Sequence, residues 1–120
     1  MTLKTLRNLT LHAQSAREQE IALGYGLEVT VDPEGLMIES GQAGFDAAVA
    51  ELALRLRECA QRGEAVLLGG HTGLWVAALL AVCRVSGETA APPCYCFDTA
   101  RIQDAAGRFV FEARGLLRVA

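Results

Sequence analysis

No apolar run in the 120 residues approaches the roughly 20 needed to span a bilayer; the longest, Leu74 to Cys83, has ten. A stretch of that length suits a buried helix. The N-terminal "MTLKTLRNLTLHAQSAREQE" lacks the continuous apolar centre and small-residue cleavage site of a signal peptide, so a cytoplasmic location is expected. There is no block of basic residues, and 11 Lys and Arg stand against 14 Asp and Glu. This argues against a protein that lies along duplex nucleic acid by counterion release, but not against a compact anionic ligand held by a few groups. No G-K-[ST] follows the glycine pair, so nucleoside triphosphate hydrolysis by a P-loop has no support. Aromatic residues make up only 6%, which leaves a mostly aliphatic core. The four cysteines, at 59, 83, 94 and 96, form no C-x-x-C pair and read as reduced structural thiols. Cys94 and Cys96 have strand spacing and would share one face of a sheet, with no clear partners for a metal.

What is present is a chain 52% hydrophobic, of a length that fits a single domain, residues 1–120, with one real core. Residues 1–23 are ambiguous: "NLTLHAQ" alternates as a strand does, while "SAREQEIAL" fits a helical turn or a polar loop. "LEVTV", "DPEG" and "LMIES" read as strand, turn and strand, a β-hairpin from Leu27 to Ser40. From Gly44, Phe45, Val49, Leu52, Leu56 and Cys59 recur at spacings of 4, 3, 4 and 3, the stripe of an amphipathic helix that Gly63 stops.

"EAVLL" is a short buried strand, and "LWVAALLAVCR", apolar on every side, predicts a helix covered all round. Pro92 and Pro93 mark a loop. "CYCF" predicts a second buried strand ending at Asp98. "DAAG" can turn the chain, "RFVFEA" returns from it, and "LLRVA" reads as a final short strand. The pattern is β-β-α-β-α-β-β. A strand–helix–strand crossover between buried strands implies parallel neighbours. The fold class is therefore α/β (α+β): a single compact domain with a mixed sheet and helices packed on it.

Two places carry chemistry. In "LLGGHTGLW", residues 67–75, Gly69 and Gly70 turn the chain sharply at a strand end, and Thr72 or Gly73 starts a helix. A helix N-terminus presents unpaired N–H groups and a positive dipole end, which attract phosphate. His71 stands on that turn, where an imidazole can donate to a phosphate oxygen or move a proton. The bland reading is an architectural turn with a solvated histidine. The second place is Asp98 in "YCFDTAR", expected on the same sheet edge as the glycine turn, with Arg101 near enough to bind an anion or pair with Asp98. Against this, Asp98 can merely cap a turn. Trp75 reads as core, or as a surface on which a base stacks. His12 falls in the ambiguous N-terminal region.

The order of these features, "GHTGLW" (Gly70 to Trp75), an apolar helix, a loop, then "FDTAR" (Phe97 to Arg101) and a returning strand, resembles the small CRISPR-associated Csx-three family. Its members carry a glycine–arginine–glycine–proline–x–tryptophan turn and a tyrosine–aspartate–proline–arginine strand end. The resemblance covers roughly residues 27 to 113. It departs where the family's turn arginine is His71, its turn proline is Gly73 and the proline after Asp98 is Thr99. The family's histidine between the helix and the aspartate strand has no counterpart.

The resemblance implies a ring nuclease. Such a protein is a homodimer or higher homo-oligomer that binds and cleaves cyclic tetra-adenylate, the second messenger of type III CRISPR complexes, with a divalent metal, commonly manganese, promoting cleavage. It implies catalytic roles for Asp98, for His71 by position, and for Asp98 as a metal ligand. Gly69, Gly70, Thr72, Gly73, Trp75 and Arg101 become ligand-binding candidates. Two rival expectations stand beside it. One is a sensor or sponge of the same fold that binds the ring without cutting it. The other is a protein-interaction module with no nucleotide affinity and an exposed apolar patch.

Overall fold

The computed structural model describes residues 2–9, 14–31, 36, 38–69, 72–86 and 91–119. Among them the chain runs β1 (Lys4–Asn8), α1 (Ala16–Gly24), β2 (Leu27–Val31), α2 (Gln42–Gln61), β3 (Ala65–Leu67), α3 (Thr72–Ser86), β4 (Cys94–Gln103) and β5 (Phe109–Arg118). The strands form one mixed sheet in the order β2-β1-β3-β4-β5. The first four strands are parallel, and β5 runs antiparallel to β4. This is the single α+β domain that the alternation of apolar strands and helices implies, and the expected crossover from residue 65 to residue 97 is the parallel pair β3–β4.

The sheet is buried on two faces, as a parallel sheet must be. Leu6, Leu27, Ala65, Leu67 and Leu116 point to one face, where Ala22 of α1 covers them. Val66 and Cys94 point to the other and meet Leu52, Leu56 and Cys59 of α2 and Leu74, Trp75, Ala78 and Val82 of α3. The α2 stripe is the one its spacing predicts. Leu52 and Leu56 are fully buried, and each contributes about 1.5–3 kcal/mol of transfer free energy. Gly63 at φ +70° ends the helix: Glu64 N–H donates to the Cys59 carbonyl and Gly63 N–H to the Ala60 carbonyl, a Schellman motif. Ser15 starts α1 through a capping box with Glu18.

Four expectations need correction. Residues 27–40 are not a hairpin. β2 pairs in parallel with β1 at the sheet edge, and Leu36 and Ile38 to Ser40 are not strand; the turn residues 32–35 lie outside those described. The ambiguous N-terminus supplies both a strand and a helix, so β2 already has its partner in β1 and needs no second strand. The α3 helix is not covered all round: Val76 and Leu80 are half-exposed. α2 and the sheet cover one side of α3, and no described helix lies beyond it. Finally, β4 does not end at Asp98. Its antiparallel partner continues to Phe109, so both strands run on for ten residues, and "LLRVA" is the far end of β5 rather than a separate strand.

Candidate functional site

The carboxyl ends of β1 and β3 lie side by side, with Asn8 opposite Leu67. From β1 the chain leaves to α1 on one face, and from β3 it leaves to α3 on the other. A crevice opens in an open α/β sheet where successive connections depart to opposite faces, and ligands gather there. The sequence reading places Gly69 and Thr72 at this edge, and the structure agrees.

Beside it, between α3 and β4, lies a hollow of about 410 Å³ whose polar wall is Gly69, Thr72 and Cys96 and whose apolar wall includes Leu68, Trp75, Val76, Leu79 and Val119. Three of the expected ligand-binding residues, Gly69, Thr72 and Trp75, therefore share one cavity. Trp75 is buried, and its indole Nε1–H donates to the Gly69 carbonyl at 2.8 Å, which holds the turn against the first coil of α3. Thr72 and Gly73 open the helix and are exposed, so Thr72 reaches the hollow while Gly73 does not line it. Gly70 and His71 lie outside the described residues, as does His12.

Asp98 is exposed on β4, two residues beyond Cys96 and on the same face, about 7 Å further along the strand. It stands past the rim of the hollow and does not line it. Arg101, three residues on, projects from the opposite face, because the bulge at Asp98/Thr99 inserts its extra residue in β5 and leaves β4 regular. There the Arg101 guanidinium lies over the Phe109 ring, 4.1 Å from its centroid. The sequence expectation that Arg101 could pair with Asp98 is not met. Among the described residues no three His, Cys, Asp or Glu side chains stand close enough to hold a metal ion.

Sequence reading missed Asn8, Cys96 and Leu68. Asn8 is fully buried at the end of β1, and its side-chain amide donates to the Gln14 side-chain oxygen, tying the strand end to the entry of α1. A polar residue closing an otherwise alternating strand was the available signal. Cys96 contributes a half-buried thiol to the hollow, and the "CYC" spacing does place it on the face of Cys94. The Cys94 thiol is pushed up to about 11 by burial.

An ion cluster lies outside the hollow. Glu64, just before β3, accepts from Arg7 Nε at 2.9 Å and from Arg62 Nε at 2.8 Å. The Arg7 hydrogen bond holds its carboxyl below the usual range against the opposing effect of burial. It joins β1, the α2 end and β3, which is a structural task.

Comparison with protein-family models, with curated proteins and with solved structures returns no match to this chain.

Proposed function

We propose that the protein is a cytoplasmic homo-oligomer that binds and cleaves a cyclic oligoadenylate, cyclic tetra-adenylate in the first instance, and so acts as a ring nuclease that switches off type III CRISPR signalling. One observation carries this reading. Gly69 of the glycine turn, with Thr72 and Trp75 of the motif that carries the resemblance, lines one open cavity beside the carboxyl-end crevice where open α/β sheets gather ligands. Its volume suits one nucleoside, so a ring of four would straddle protomers, as a two-fold ligand suits a two-fold assembly.

In the proposed reaction the indole edge and Leu79 take the adenine, and N–H groups opening α3 take the phosphate. The ribose 2′-oxygen attacks the adjacent phosphorus while His71 accepts the hydroxyl proton. The P–O5′ bond breaks, the 5′-oxygen leaves as it takes a proton from water, a 2′,3′-cyclic phosphate remains, and His71 returns its proton to the resulting hydroxide. Asp98 orients the 2′-hydroxyl from beyond the rim.

A second reading is favoured by the wall of the hollow: apart from the Cys96 thiol it carries no titratable side chain among the described residues. That chemistry suits a binder, sensor or sponge, that takes the base without cutting the ring. A third, an interaction module, draws on the exposed Phe109 and Phe111.

The test incubates the protein with cyclic tetra-adenylate and cyclic hexa-adenylate, with and without manganese, following thermal midpoint and products by chromatography. Wild type is run beside His71→Ala and Asp98→Ala. Linear products lost in either variant support the nuclease. Stabilisation without products makes it a binder, and neither effect overturns both.

A further inference from the structure

The β4–β5 hairpin extends well past the rest of the sheet. β3 pairs with β4 only at Cys94 and Tyr95, whereas β4 and β5 pair on to Gln103 and Phe109. On the outer strand of this arm Phe109 is 61% and Phe111 77% exposed. The arm's tight turn is built to keep its shape: the Asp104 carboxylate accepts from the backbone of Ala106 and Arg108, and Gly107 sits at φ +81°.

β5 is also the sheet edge. The Arg108 carbonyl accepts from Asp104 N–H, which points it toward β4. Alternation along the strand then turns the N–H and C=O groups of Phe109, Phe111 and Ala113 outward. The Ala113 carbonyl is capped by Arg17 Nε at 2.9 Å. No described residue caps Phe109 or Phe111. A strand edge that is open and aromatic is a template for another strand.

The open segment reads Arg108-Phe109-Val110-Phe111-Glu112, apolar residues symmetric about Val110 and opposite charges at its two ends. We propose that it is a homodimer interface: two copies pair their β5 strands antiparallel about Val110. Phe109 then stands opposite Phe111 of the partner subunit, and Arg108 opposite Glu112 of the partner subunit, each twice by the two-fold axis.

Two-fold antiparallel pairing centres on a residue, so the neighbouring registers are few. Centred on Phe111, it sets Arg108 against Arg114 and opposes like charges. Centred on Phe109, it sets Phe111 against Gly107 and forms no ion pair. In the Val110 register the partner's turn arrives opposite Ala113, where Arg17 closes the edge, so the ladder fits the open segment and ends with it. The present contacts of the two charged residues do not compete strongly. Arg108 is 3.8 Å from Asp104, and Glu112 is 3.6 Å from Arg114 and 3.9 Å from Arg17, and the arginine of each pair is exposed. The inference stands whether or not the ligand proposed above binds.

The test is the oligomeric state of the ligand-free protein by sedimentation equilibrium, with circular dichroism confirming that each variant folds. Arg108→Glu and Glu112→Arg each oppose like charges twice and should raise the dimer Kd by about tenfold. The double variant R108E/E112R restores opposite charges and should recover the dimer. Val110→Cys should give a covalent dimer on mild oxidation, because directly opposed residues of a non-hydrogen-bonded pair lie about 4.5 Å apart, within disulfide range. A wild-type monomer at high micromolar concentration overturns the proposal. So does a dimer that neither charge reversal weakens, since its interface would lie elsewhere.

Discussion

The indole Nε1–H of Trp75 donates to the Gly69 carbonyl oxygen at 2.8 Å, joining the first coil of α3 to the end of β3. Trp75→Phe keeps most of the apolar packing and removes the donor. The variant should lose about 1 kcal/mol of stability, read by urea unfolding. It should also weaken binding of any base that uses the hollow. Unchanged stability would show that the turn holds its shape without the bond.

Glu64 gives the fold an acid-sensitive point. Its folded carboxyl titrates below the ordinary value of 4.5, chiefly because Arg7 hydrogen-bonds to it. The stabilisation is therefore fully present above that value and is lost as pH falls through the lower folded one. Glu64→Gln should cost about 2 kcal/mol at neutral pH and flatten the stability curve below about pH 4.5, since the amide cannot titrate. Denaturant unfolding at stepped pH measures both, and a variant with the wild-type acid slope would locate the sensitivity in another group.

Helix propensity and packing oppose one another at Gly44, in the first turn of α2. Propensity alone credits Gly→Ala with about 1 kcal/mol. A Cβ at this position, however, would overlap the Glu39 carbonyl oxygen, a backbone atom with little room to move. Gly44→Ala should therefore destabilise by about 1–3 kcal/mol. A raised thermal midpoint would show that residues 38–41 yield easily.

Site-resolved alkylation separates the thiols. Cys94 is buried with its thiol pushed up to about 11, and burial together with nearby Glu64 raises Cys59. At pH 8 both should resist alkylation in the folded protein and react on unfolding, while the half-buried Cys96 reacts before either of them. Ligand in the hollow should slow Cys96 alone. Labelling of Cys94 at the rate of a free thiol would mean that this part of the sheet opens readily.

Local signals were strong where one residue type could do only one thing. The α2 stripe, the stop at Gly63 and the turn at Asp104–Gly107 were legible because helical spacing and positive φ are short-range properties. The β3–α3–β4 crossover was legible because short apolar strands around a helix have few alternatives. The hairpin at Leu27 was misread because alternation states that a strand is half-covered, not which strand lies beside it. That choice belonged to β1, whose five residues gave too short a pattern to recognise.

The site divides in the same way. The glycine turn and Trp75 were legible as a strand-to-helix junction, and their meeting in one cavity follows from chain proximity. Asp98 and Arg101 were not separable by sequence, since their opposite faces depend on which strand carries the bulge.

By itself the sequence determined the amphipathic helix and the place of the glycine turn, because each rests on interactions within a few residues of chain, and the class of fold and the parallel crossover, because the order of short apolar strands and helices leaves few alternatives. Strand order, the exposure of Val76 and Leu80, the distance of Asp98 from the hollow and the open edge at Phe109 and Phe111 were decided only in three dimensions. Each depends on what lies across the sheet from a residue, and pairing between distant segments leaves no periodic mark in either one.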